Sequence, residues 1–120
     1  MNSESARNDV PDVYHIEKKV LRSGDKVHYP KRGQQVTIHY TAAFLNKEVF
    51  DSSHLRRRPY SFRIGIDQTL KVFDIILRMS LGEHILIRAP WQLAYGELGL
   101  DKVVPPRTDV LFDIELLKIE

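Results

Sequence analysis

Asp51 is the side chain of this sequence most clearly placed to do chemistry. It lies between Phe50 and the pair Ser52-Ser53, in the run Val49-Phe50-Asp51-Ser52-Ser53. A carboxylate set against an aromatic ring must find partners or stay solvated, because an unpaired buried charge is strongly unfavourable. Tyr40, in Ile38-His39-Tyr40-Thr41, and Tyr95, in Ala94-Tyr95-Gly96, each combine an apolar ring with a hydroxyl that needs a partner when buried. Each reads either as a buried core tyrosine or as a donor facing a ligand. Phe50, Phe112, Val103 and Val104, taken singly, read as core residues.

Two reaction classes find no support in these residues. Ser53-His54 beside Asp51 has the composition of a nucleophile, a base and an acid, but neighbours in extended chain point to opposite faces. The five histidines, at positions 15, 28, 39, 54 and 84, lack the paired spacing of a metal site, and there are no cysteines to complete one. Neither a metal nor a cofactor is predicted.

The elements that must position these side chains are mostly strands. Val36, Ile38, Tyr40, Ala42 and Phe44 alternate with Thr37, His39 and Thr41, the pattern of a half-buried strand. Tyr60, Phe62 and Ile64 repeat that period, and Val13 to Leu21, Ile85-Leu86-Ile87 and Val110 to Ile119 are further strands. Turn chemistry falls at Ser23-Gly24-Asp25 and a loop at Tyr29 to Gly33. From Thr69 to Met79, Leu70, Phe73 and Leu77 form one helical stripe, with Asp67 or Thr69 as its N-terminal cap. Strands around a single short helix predict an α+β domain.

Composition sets the outer bounds. The chain has 120 residues, 42% of them hydrophobic, enough for one domain with a modest core. Residues 1 to 12 lack periodicity and read as a flexible lead-in, leaving 13 to 120 as the domain. No apolar run approaches the roughly 20 residues of a membrane span, and the polar N-terminus has no apolar stretch to serve as a secretory signal. With no cysteines, the default location is cytoplasmic, with the nucleus as the other option. Eighteen basic against sixteen acidic residues give a net charge of +2, too balanced to predict nucleic-acid binding. Arg56-Arg57-Arg58 reads as a solvated loop tip, with a phosphate-binding patch as its sharper rival.

Several separated segments, taken in order, resemble one family. They are Tyr29-Pro30-Lys31-Arg32-Gly33-Gln34, Ile38-His39-Tyr40-Thr41, Val49 to Ser53, Met79-Ser80-Leu81-Gly82-Glu83, Ala94-Tyr95-Gly96, Val103-Val104-Pro105-Pro106 and the closing run Val110 to Leu117. From about Gly24 to Glu120 the chain resembles the FK506-binding class of peptidyl-prolyl cis-trans isomerases. The resemblance implies a strongly bent antiparallel β-sheet wrapped around one short α-helix. It also implies catalysis of rotation about the bond before proline, with no bond made or broken and no cofactor.

The resemblance further implies a pocket. Phe73 would be its floor, Tyr40, Phe50 and Phe112 its walls, and Val103 and Val104 one closing side. Tyr95 and the backbone N–H of Leu70 would donate to substrate carbonyls, and Asp51 would act electrostatically, held by Tyr40 or Arg56. Tyr60 and Thr69 complete the matched positions. The implied partners are proline-containing peptides or proteins and macrolides of the FK506 and rapamycin type, bound by a monomer.

This chain departs from the family pattern at Phe73, where well-known members carry tryptophan, and at Val72 and Ile76, where glycine or alanine is common. The segment from Phe73 to Met79 is one residue short, and one extra residue falls within Pro90 to Tyr95. That places Trp91, the only tryptophan, on the surface or rim. The alternative function is therefore a non-catalytic binding or scaffold module with a weakened pocket.

Overall fold

A computed structural model describes residues 15–120. The lead-in expected over residues 1 to 12, and the first two residues of the strand expected from Val13, lie outside that range. The described residues form six strands: β1 (Glu17–Arg22), β2 (Gln35–Ala43), β3 (Val49–Ser52), β4 (Tyr60–Arg63), β5 (His84–Ala89) and β6 (Val110–Ile119). They make one antiparallel sheet in the order β1-β5-β6-β2-β3, with β4 also paired to β2.

The alternation read from β2 is realised from Val36 to Ala42 and ends there, since Ala43 is also buried and Phe44 lies beyond the strand. Val36, Ile38, Tyr40 and Ala42 are buried, while Thr37, His39 and Thr41 are only partly covered. Its two halves have different neighbours on the same edge: Gln35 to Ile38 pair with β4, and Thr41 to Ala43 pair with β3. β3 and β4 thus lie end to end along β2, and the loop between them carries Arg56, Arg57 and Arg58. β1 buries none of its six side chains, so it extends the sheet without adding to the core.

The main helix runs from Lys71 to Arg78 and is a 3₁₀ helix rather than the α-helix expected; a three-residue 3₁₀ turn follows at Trp91–Leu93. Phe73 N–H donates to Leu70 O and Met79 N–H to Ile76 O, both at 3.0 Å. With three residues per turn, Leu70, Phe73, Ile76 and Met79 fall in line. The expected cap is absent. Leu70 occupies the N-cap position without a side-chain hydrogen bond. Thr69 instead accepts from the Tyr60 hydroxyl at 3.0 Å, and Asp67, at φ +60°, lies 3.8 Å from Lys71.

Residues 72 to 77 are all buried, so the helix is enclosed nearly all round instead of showing one apolar stripe. The buried member that needs explanation is Asp74. Its Oδ2 lies 2.8 Å from Lys71 Nζ, an ion pair outside hydrogen-bonding angles. The core lies between this helix and the inner face of the sheet, where Ile38, Ile85, Ile87, Ile114 and Leu116 pack with Phe73, Ile75 and Ile76.

Candidate active site

The register of β2 brings the site together. Ala42 pairs with Asp51 on one side and Phe112 on the other, and Phe112 pairs in turn with Ile87. Directly opposed residues share a face of the sheet. Asp51 and Phe112 therefore flank a small alanine on the inner face. A bulge between Ala42 and Ala43 sets Val49 opposite Ala43 and leaves Phe50 as the extra residue. Strict alternation would send Phe50 and Asp51 to opposite faces. The bulge re-aims Phe50 so that both serve one site.

The aromatic side chains form a continuous bowl. Tyr40 meets Tyr60 and Phe73 edge-on, with ring centroids 5.7 Å apart in both pairs. Phe73 meets Phe112 at 5.1 Å and Phe62 at 6.0 Å. Tyr95 lies 5.8 Å from Phe50 and 6.5 Å from Phe112. Phe73 is 2% exposed, so it underlies the bowl and offers little open surface. Phe62 was legible as a core residue through the Tyr60, Phe62, Ile64 alternation, but nothing in the sequence tied it to Phe73.

Polar groups in the bowl are mostly engaged with one another. The Tyr40 hydroxyl donates to Asp51 Oδ2 at 2.6 Å and accepts from Arg56 Nη2 at 2.9 Å. Arg56 Nη1 donates to Asp51 Oδ1, closing a three-membered network. Asp51 is thus held by Tyr40 and Arg56 together. Burial, and then the hydrogen bond to Asp51, hold the Tyr40 phenol above its ordinary pKa, with Arg56 pulling the other way. Burial, followed by the charge of Asp51, raises Tyr95 as well. Both hydroxyls stay protonated at neutral pH.

Two donors stand apart. Among the described residues, neither the Tyr95 hydroxyl nor the Leu70 N–H has a hydrogen-bond partner. The Val pair divides: Val104 is buried, while Val103 is 42% exposed on the rim. Gly99 makes this turn possible. At φ +69° a Cβ would collide with Val104 O and come within 2.7 Å of Pro105. Leu100 and Val104 meanwhile exchange backbone hydrogen bonds, each 2.8 Å long.

Ser53 has a role that sequence reasoning missed. It is fully buried; its Oγ accepts from Tyr40 N–H at 2.8 Å, lies 3.2 Å from Tyr40 O and 2.8 Å from His39 Nδ1. Such a serine is closed to substrate and instead ties the end of β3 to β2. His54 stacks on His39 with ring centroids 4.1 Å apart. Burial, and then the neighbouring His54, hold His39 below its ordinary pKa, while Glu115 opposes them.

A profile of FKBP-type peptidyl-prolyl cis-trans isomerases matches residues 26–117. The chain belongs to that family. By family it is an isomerase, and its sheet wrapped around one short helix is the FKBP fold. The FKBP chain is 41% identical over 100 residues to FK506-binding protein 1 of Saccharomyces cerevisiae, covering 82% of this chain and 88% of the relative. It is 38% identical over 105 residues to a peptidyl-prolyl cis-trans isomerase of Schizosaccharomyces pombe, covering 87% and 94%. Among solved structures, that of AtFKBP13 superposes with a TM-score of 0.81 at 31% identity, covering 88% of this chain and 93% of the other. No helix among the described residues is long and apolar enough to cross a membrane.

Proposed function

We propose that this FKBP accelerates rotation about X-Pro bonds in proline-containing peptides and proteins by holding the amide in the bowl of Tyr40, Phe50, Phe73, Tyr95 and Phe112. Rotation must cross a barrier of about 18 to 20 kcal/mol, set by loss of amide resonance in the twisted form. The planar amide is the more polar species, so an apolar bowl disfavours it relative to the twisted state.

The observation carrying this reading is the contrast between free and engaged groups. Among the described residues the Tyr95 hydroxyl and Leu70 N–H are unpartnered donors for substrate carbonyls, whereas both oxygens of Asp51 already accept from Tyr40 and Arg56. Asp51 then serves as a fixed negative charge beside the twisting amide. No proton moves in the reaction, so no general base is needed. Tyr60 and Thr69 brace the helix entrance through their mutual hydrogen bond, with Val103 and Val104 closing the far side.

The same bowl would take macrolides of the FK506 and rapamycin type, a reading supported by the name of the yeast relative. The working unit is a single domain over residues 13 to 120, monomeric and cytoplasmic. The absence of cysteine suits a reducing compartment. The test is NMR exchange or a protease-coupled assay on leucyl-prolyl peptides, with and without FK506. Acceleration abolished by FK506 is the expected result. A folded protein that leaves the exchange rate unchanged would refute catalysis.

The near-complete cover over Phe73 favours one second reading, a binding module whose filled floor admits ligands without turning them over. FK506 binding without acceleration would establish it.

A further inference from the structure

We propose that a groove beside the bowl is a subsite for the polypeptide flanking the proline, taking an apolar side chain next to a carboxylate. The inference rests on the isomerase reading for the identity of the ligand. The groove has a volume of about 600 Å³ and is lined chiefly by Phe44, Leu45, Trp91, Arg88, Arg107 and Asp109. None of these belongs to the set that the family resemblance implied.

The groove adjoins the bowl through packed aromatic rings. The Phe44 ring lies 4.7 Å from Phe50, which lies 5.8 Å from Tyr95. Two such ring-to-ring steps reach at most on the order of 10 Å, the length of roughly three residues of extended chain. Both sites also share one hydrogen-bonded turn. Trp91 O accepts from Ala94 N–H at 3.1 Å and Gly96 N–H at 2.9 Å, and Arg107 N–H donates to Gly96 O at 3.1 Å. Asp109 fixes the other end by accepting from Trp91 N–H at 2.9 Å.

The lining states what would bind. Phe44, Leu45 and the half-buried Trp91 offer apolar surface, and the Trp91 indole N–H has no partner among the described residues. Two arginines against one aspartate give the lining a positive balance. Each arginine meets its carboxylate through a single nitrogen: Arg88 with Asp109 at 3.3 Å and Arg107 with Glu97 at 3.0 Å. The Arg107 pair is about two-thirds exposed on both sides, so it is weakly held and open to exchange for a ligand carboxylate.

The experiment is calorimetric titration with peptides that share a Leu-Pro centre and carry Phe-Glu, or Gly-Ser in its place, three residues before or after the proline. Trp91 emission is followed in parallel, since it is the chain's only tryptophan. At one of the two placements the Phe-Glu peptide should bind about five- to tenfold more tightly than its Gly-Ser counterpart and shift the emission. Arg107→Glu, on the exposed rim, and Trp91→Ala should each bring that ratio close to one. Equal affinities at both placements, or a ratio that survives both substitutions, would overturn the subsite. Because the readout is binding, failure to isomerise any of the peptides would count against the isomerase reading and leave the groove to be judged by its own ratio.

Discussion

Tyr40 donates its hydroxyl to Asp51 Oδ2 at 2.6 Å, linking the centre of β2 to the strand beside it, and Arg56 bonds to both. Asp51→Ala removes the acceptor that two donors share, while Tyr40→Phe keeps the ring and removes only one of them. We expect Asp51→Ala to lower stability by about 1 to 3 kcal/mol. It should also reduce kcat/KM on a leucyl-prolyl peptide by roughly tenfold, equivalent to about 1.4 kcal/mol of barrier. Tyr40→Phe should cost less in both. Urea unfolding and NMR exchange on the same samples decide it; unchanged turnover in Asp51→Ala would leave the triad a purely structural network.

Tyr95 separates catalysis from stability cleanly. Its hydroxyl has no partner among the described residues, so Tyr95→Phe leaves no buried group unsatisfied. The substitution should change unfolding free energy by less than about 0.5 kcal/mol while lowering kcat/KM several-fold. A variant as active as the parent would show that the hydroxyl does not touch substrate.

Phe73 is enclosed by Tyr40, Phe62 and Phe112 and is 2% exposed. Phe73→Ala should therefore destabilise by about 3 to 5 kcal/mol, through lost burial and a residual cavity. Phe73→Trp should also destabilise, by about 1 to 3 kcal/mol, because the enclosure leaves no volume for the larger ring. Denaturant midpoints measure both. A neutral Phe73→Trp would reveal slack in the floor.

Gly99 holds a positive φ where a Cβ would strike Val104 O. Gly99→Ala should disturb the turn that seats Val104, weakening FK506 binding more than it weakens the sheet. Hydrogen exchange should rise at Leu100 and Val104, whose backbones bond to each other, and stay unchanged along β6. Uniform loss of protection across the molecule would contradict this.

His39 makes stability depend on pH. Burial holds its folded pKa below the ordinary 6.5, so below that pH the unfolded chain binds a proton more readily than the folded one. Its contribution is intact above about pH 6.5 and is lost as pH falls towards the folded pKa, where the slope ends. Urea midpoints across this range should fall on acidification, and His39→Gln should flatten that slope. An equal slope in the variant would assign the effect to other groups.

Much of this was legible in the chain because it depends on local pattern. The period-two alternation of Val36 to Ala42 identifies a half-buried strand, since side chains on a strand must take opposite faces. The 3₁₀ helix reads as an α-helix in sequence because Leu70, Phe73 and Leu77 satisfy the 3.6-residue period. The true spacing of three, through Ile76 and Met79, is masked by the further apolar residues Val72, Ile75 and Leu77. β3 gives no strand signal in the sequence. Four residues interrupted by a bulge carry no alternation to detect.

The sequence by itself determined the family, the strand-rich α+β class and the identity of the residues that meet in the bowl, because motifs and periodicity survive without knowledge of contacts. Tertiary structure decided what those residues do to one another. It joined Asp51 to Tyr40 and Arg56, left the Tyr95 hydroxyl without a hydrogen bond among the described residues, sealed Phe73 and set Trp91 in a groove beside the site. These outcomes depend on sheet register and on one bulge, which bring together positions far apart in the chain. No local stretch of sequence encodes such a register, because it is fixed only when both strands bury their apolar faces together.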